Sequence, residues 1–188
     1  MYSFDTRISY SESDENLELT IPALLNFFQD AAIFEAEAGN ITMDYLQERH
    51  LAWLLGSWQI VIERRPRLNE QVVVVTTPYA FKGFIGYRNF VLKTIEGEML
   101  AKAASIWTLV DIQKMKPARP SQEILDGYEI SPKLDMEYAP RRIDLVGEGV
   151  AKEPFFIRKN QIDSNHHVNN AEYVNIAMEY LDVSAHVT

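Results

Sequence analysis

The chain has 188 residues, 47% of them apolar, no cysteine and a formal net charge of −9. That composition is globular rather than disordered, and the length suits one large domain or two small ones. The acidic balance makes nucleic acid a poor partner, and no apolar run reaches membrane-spanning length. Without cysteine there are no disulfides, thiolate nucleophiles or cysteine metal sites. The N-terminus carries neither the basic nor the long apolar region of a secretory signal, so a cytoplasmic protein without membrane insertion is expected.

Residues 4–10 alternate like a strand, and 11–16 are polar and turn-like. Ile21-Pro22 opens a long helix whose apolar face is Leu24, Leu25, Phe28, Ala31 and Ala32, with Gly39-Asn40 as its stop. Thr42 or Asp44 caps a shorter helix reaching toward His50. Strands follow at 53–63, 71–79, 84–94 and 99–111. The run Val72-Val73-Val74-Val75 reads as a strand buried on both faces, and Phe81-Lys82-Gly83-Phe84 as a tight or bulged hairpin connection. One helix against an antiparallel sheet is an α+β arrangement. Residues 117–152 read as a proline-rich connector with a short helix at 121–125. A strand at 154–159 and a helix at 171–181 complete the chain. The expected organisation is therefore a first unit at 1–116, the connector at 117–152, and the start of a second unit at 153–188.

The two units carry a repeat. Ile8, Asp14, Asn16, Leu19, Leu25 and Asn26 match Ile157, Asp163, Asn165, Val168, Val174 and Asn175, all at one constant separation. At the same separation Glu18 stands opposite His167. The partner of the strands that end near Asp111 would fall beyond Thr188, so only the first strand and helix of the second unit are expected.

The segment Asp163, Asn165, His167, Val168, Asn169, Asn170 puts a carboxylate, an amide and an imidazole on the turn that opens a helix. Such a turn offers unpaired N–H groups and a partial positive charge. An imidazole there activates water while the N–H groups hold an oxyanion, a combination suited to hydrolysis of an activated acyl group. Asp163 and Asn165 equally suit a plain helix-opening turn, whose backbone their side chains brace. His166 and His167 are adjacent and lack a ligand set at familiar spacing, so no metal is expected. Phe27, Phe28, Phe34, Trp53 and Trp58 suit either an acyl tunnel or ordinary core packing. Basic residues cluster at Arg64-Arg65-Pro66-Arg67, between Lys114 and Arg119, at Arg141-Arg142 and at Arg158-Lys159. They read as solvated strand ends or as a docking site for an acidic partner or a phosphate.

The first-unit stretches Trp58-Gln59-Ile60 and Pro78 to Phe90, then Ala101-Lys102-Ala103 and Ser105-Ile106-Trp107, precede the Asp163-x-Asn165-x-His167-Val168-Asn169-Asn170 motif. In that order the chain resembles acyl–acyl-carrier-protein thioesterases of the bacterial and plant type. The resemblance implies a tandem pair of hotdog folds with the second copy incomplete here. It implies hydrolysis of fatty acyl–acyl-carrier-protein with no cofactor. By position, His167 would be the general base or proton shuttle, Asn165 would orient the water or the thioester carbonyl, and Asp163 would orient Asn165 or the neighbouring backbone and tune the site. Val168, Asn169, Asn170, Trp53, Trp58 and Phe27 are the candidate substrate-binding residues. Family members also draw on an acidic or cysteine residue from a later strand of the second copy. Two alternatives stand beside this: an acyl-CoA thioesterase, and a non-catalytic acyl-binding module or truncated inactive thioesterase. An unpaired apolar helix face and open strand edges lead us to expect a homo-oligomer.

Overall fold

The computed structural model describes residues 1–142, 144, 147–163 and 166–181. Chain order runs β1 (Tyr2–Arg7), α1 (Ile21–Ala38), α2 (Met43–Glu48), β2 (Leu51–Ile62), β3 (Gln71–Lys82), β4 (Ile85–Thr94) and β5 (Met99–Asp111). A short β6 (Lys116–Pro117), α3 (Gln122–Asp126) and α4 (Asn170–Met178) follow. The strands form one antiparallel sheet in the order β1-β3-β4-β5-β2, with β6 paired to β5.

Local chemistry sets the helix limits. Thr20 Oγ1 accepts the Ala23 N–H at 3.2 Å, Pro22 occupies the first turn, and Gly39 closes α1. Thr42, rather than Asp44, caps α2 through the Tyr45 N–H at 3.1 Å. Ser121 caps α3 in the same way. β1 starts and ends earlier than the alternation suggests. Its pairing with β3 stops at Arg7–Gln71, where Ile8 donates to the Glu70 carbonyl and Ser9 begins a 3-10 turn, Tyr10–Glu12. Gly83 (φ 64°) and Phe84 form the two-residue turn between Lys82 and Ile85.

Two expectations are corrected. The valine run is not buried on both faces: Val72 and Val74 lie in the core, while Val73 and Val75 are half-buried on the opposite face. Residues 154–159 do not form a strand. Among the described residues no strand runs beside them, the chain enters a second 3-10 turn at Lys159–Gln161, and Phe156 is 93% exposed.

The core lies between α1 and the sheet. Ala23, Leu24, Phe27, Phe28 and Ala31 pack on Val72, Val74, Phe90, Leu92, Leu100 and Ala103. Phe28, Trp58 and Phe90 form a ring cluster with centroids 4.9 to 6.1 Å apart. A smaller core joins Ile41 and Leu46 to Leu109 and Ile124. Part of the span expected to be connector is fastened to the first unit. β6 and α3 belong to it, and residues 129–139 cross the outer face of the sheet. There Ser131 donates to the Pro78 carbonyl at 3.0 Å, and buried Asn89 Oδ1 accepts from the Leu134 N–H and the Tyr138 hydroxyl. Burial beneath this strap, with Tyr138 and Tyr87 beside it, pushes the Tyr79 phenol up to about 12.

One ion pair is placed inside. Arg88 of β4 reaches Glu35 of α1 and donates to Thr76 Oγ1 at 3.0 Å, and the two charged side chains are only 10% and 13% exposed. Removing the cation leaves the mostly buried Glu35 carboxylate with the exposed Met1 ammonium, 3.8 Å away, in place of a hydrogen-bonded partner. Arg88→Met should therefore lower the unfolding free energy by about 3 kcal/mol, and adding Glu35→Leu should restore a large part of it. Urea titrations of the two variants check this; a single variant as stable as the parent contradicts it.

Candidate functional site

The motif is a turn held by local backbone bonds and by the side chains of Asp163 and Asn169. Asp163 Oδ1 accepts the His167 N–H at 3.1 Å, and the Asp163 N–H donates to the His167 carbonyl at 2.8 Å. His166 takes a left-handed φ of 62° to close the loop. Ile162 bridges Val168, and Asn169 donates its backbone N–H to the Gln161 carbonyl at 2.9 Å. Asn169 Oδ1 then caps α4 through the Ala171 N–H at 2.9 Å.

Among the described residues the first unit repeats the bonds that close this turn. Asp14 Oδ1 accepts the Glu18 N–H at 3.1 Å, and Asp14 donates to the Glu18 carbonyl at 2.8 Å. Leu17 has φ 59°, Ser13 bridges Leu19, and Thr20 donates to the Glu12 carbonyl at 2.9 Å. The 3-10 turns Tyr10–Glu12 and Lys159–Gln161 correspond too, with Glu12 accepting from Ser9 and Gln161 from Arg158. The repeat read from the sequence is thus a repeat of backbone geometry.

The copies part company at the reactive position. In the first, Arg65 donates one nitrogen to Asp14 Oδ2 and another to Glu18 Oε2, each at 2.6 Å. Burial works against the Asp14 carboxylate. The Glu18 and Asn16 N–H groups and the Arg65 guanidinium overcome it and hold its pKa below the ordinary 3.8. In the second, the imidazole of His167 is exposed.

Asn165 lies outside the described residues. Asp163, His167, Val168, Asn169 and Asn170 come together on the one turn. Of the aromatic candidates, Phe27 and Trp58 belong to the main core, whereas Trp53 packs on Phe81, 5.8 Å between centroids, beside the smaller one. Among the described residues, no three His, Asp or Glu side chains gather closely enough to hold a metal ion.

Sequence reasoning missed a cleft of about 380 Å³ where α1 meets the start of α4. Asn26, Gln29 and Asp30 of α1 face Asn169 across it, and Gln29 Oε1 accepts from Asn170 Nδ2 at 3.4 Å. Asn26 was visible as a member of the repeat; nothing in the sequence singled out Gln29 or Asp30.

Comparison with known proteins follows the same division. Residues 1–128 match the family model for the acyl-ACP thioesterase N-terminal domain, and 147–188 that for the acyl-ACP thioesterase C-terminal domain. A chloroplastic acyl-[acyl-carrier-protein] hydrolase of Cuphea viscosissima is 24% identical over 85% of this chain and 42% of its own length. The chloroplastic oleoyl-acyl carrier protein thioesterase 1 of Arabidopsis thaliana is 24% identical over 89% of this chain and 51% of its own. The chain thus spans about half the length of these relatives or less. Among solved structures, one described as an oleoyl thioesterase from Lactobacillus plantarum is 27% identical, with a TM-score of 0.84 over 96% of this chain and 71% of that one. An acyl-ACP thioesterase from Bacteroides thetaiotaomicron is 24% identical, with a TM-score of 0.86 over 96% and 73%. These neighbours share the hotdog fold, which is the arrangement of α1 on its curled sheet.

The first copy's ion pairs give a pH signature. A carboxyl group whose pKa is lowered by folding contributes stability above its unfolded value and loses it as the pH falls through the folded one. Arg65→Gln should lower stability by about 2 kcal/mol at neutral pH. The gap to the parent should close as the pH drops below 3.8. Thermal melts across pH check both; a gap that persists in acid contradicts the assignment.

Proposed function

The chain belongs to the acyl-ACP thioesterase family, and from that footing we propose that the protein hydrolyses fatty acyl–acyl-carrier-protein to free fatty acid and the carrier thiol. The observation that carries the reading is the pair of turns. Their backbones agree, and they differ where one holds Glu18 in an ion pair and the other presents the imidazole of His167 to solvent. A scaffold kept twice with one exposed imidazole is what a single general base requires.

In this reading His167 takes a proton from water as the oxygen attacks the thioester carbon. The oxyanion of the tetrahedral intermediate is stabilised by the partial positive charge at the start of α4, and Asn165 orients the water or the thioester carbonyl. Its collapse breaks the carbon–sulfur bond, and the proton returns to the departing thiolate. Asp163 works through the backbone, since its Oδ1 fixes the His167 N–H. The acyl carrier protein is preferred over CoA as the acyl donor because the curated relatives are named for it.

Self-association is part of the same proposal. Phe155, Phe156 and Ile157 and the α4 residue Tyr173 are exposed. An apolar surface of this kind supports burial against a further chain. Sedimentation should therefore give a mass above that of one chain; a monomer at micromolar concentration rules this part out.

His167→Ala should reduce hydrolysis of acyl-ACP by about 10²- to 10⁴-fold while leaving the circular dichroism spectrum unchanged. Unaltered turnover in that variant would reject His167 as the base.

A further inference from the structure

The motif turn carries a tie that the chemistry derived so far does not use. Gln161, the last residue of the 3-10 turn before the motif, bonds to three separate points of the chain. Its Nε2 donates to Glu172 Oε2 at 3.0 Å, its Oε1 accepts the Arg158 N–H at 2.8 Å, and its carbonyl accepts the Asn169 N–H at 2.9 Å. Glu172 lies in the first turn of α4, where the helix dipole also favours a carboxylate. Both side chains are half-buried, so water competes less for the amide–carboxylate bond. Gln161 precedes the motif and Glu172 follows it. Their bond therefore closes the segment that bears His167 from both ends.

The repeat separates what any such turn needs from what is peculiar to the second copy. At the repeat's separation Gln161 stands opposite Glu12, and Glu172 opposite Ala23. Glu12 accepts the Ser9 N–H at 2.7 Å, and its carbonyl accepts the Thr20 N–H at 2.9 Å, so two of the three bonds are common to both copies. The third has no counterpart, because the methyl group of Ala23 accepts nothing. The first copy is tied down by Arg65 instead, which grips Asp14 and Glu18. That clamp uses the residue at the reactive position as its handle. The tie in the second copy takes hold on either side of the motif and does not involve the imidazole of His167.

We propose that Gln161 is a positioning residue: through Glu172 it fixes the motif turn on α4 and so sets where the His167 imidazole stands. A general base works only within hydrogen-bond reach of the water it activates, and small displacements cost turnover steeply. The inference rests on the thioesterase reading for the reaction, while the tie itself stands on the geometry.

The test compares three variants: Gln161→Leu, Gln161→Glu, and Gln161→Glu combined with Glu172→Gln. Steady-state hydrolysis of acyl-ACP and hydrogen exchange at the His167 and Asn169 amides are measured on each. Gln161→Leu should lower kcat about ten- to a hundredfold with KM close to the parent's, and quicken exchange at both amides. Gln161→Glu keeps an acceptor for the Arg158 N–H but sets two carboxylates face to face, and should lose as much. Adding Glu172→Gln returns a donor, now from the α4 side, and should bring both kcat and amide protection back toward the parent's. A tie that serves the fold alone would lower the melting temperature and leave kcat of the folded protein unchanged. That outcome would overturn the proposal, as would a double variant no better than Gln161→Glu. If Gln161→Leu folds poorly, the comparison of Gln161→Glu with the double variant decides. A parent that hydrolyses nothing would reject the thioesterase reading; amide exchange then carries the test, and unchanged rates in Gln161→Glu would reject the tie as well.

Discussion

Everything in the first unit depends on the burial of α1 in the concave face of its sheet. A curled antiparallel sheet needs something to curl around, and the apolar face of α1 provides it. Phe28 sits at the centre, fully buried against Trp58 and Phe90. Each such aromatic side chain contributes about 1.5–3 kcal/mol on removal from water. The rest follows from the position of this helix. Thr20 must cap it where the preceding turn ends, and Glu35 must meet Arg88 where its far end crosses β4. Its polar side is left facing α4, and that is where the cleft forms.

The turn before each helix is the second fixed element. Its bonds are nearly all within four residues: an aspartate oxygen to an N–H, a backbone pair between the same two residues, and one left-handed residue between them. Local bonds of this kind survive a change of partner, which is why the turn has one geometry in two settings. In the first unit the loop at residues 64–68 covers it, with Leu19 donating to the Pro66 carbonyl and Leu68 to that of Leu17. In both copies one aspartate oxygen braces the turn through a backbone N–H, that of Glu18 in the first and that of His167 in the second.

Legibility in the sequence followed the range of the interactions. Helix caps at Thr20, Thr42 and Ser121, the hairpin glycine and the repeat are local, and each could be read from residue types at fixed offsets. Features held by distant partners could not. The strap at 129–139 depends on Asn89, Gln59 and Pro78, residues far away in sequence, and looked like linker. The end of β1 is set by where β3 begins, and the alternation of Phe4 and its neighbours says nothing of that. Residues 154–159 have the composition of a strand but no neighbour among the described residues to pair with, and a strand is a property of the pair. For the site, the motif residues were visible and the cleft was not, because Gln29 and Asp30 resemble any solvated helix face until α4 is laid across them.

Arg65 explains why two equal turns need not make two sites. A glutamate at the reactive position can be an anionic base only where nothing neutralises it. Here one guanidinium holds Glu18 and Asp14 together, with geometry close enough for charge-assisted hydrogen bonds. That arrangement ties the turn to the loop at 64–68 and strengthens the first unit, but it uses the carboxylate that chemistry would need. Histidine at the matching place offers no carboxylate for such a clamp. The exchange of one side chain therefore settles two properties together. It releases the turn from its ionic anchor, and it places an exposed imidazole at the head of α4.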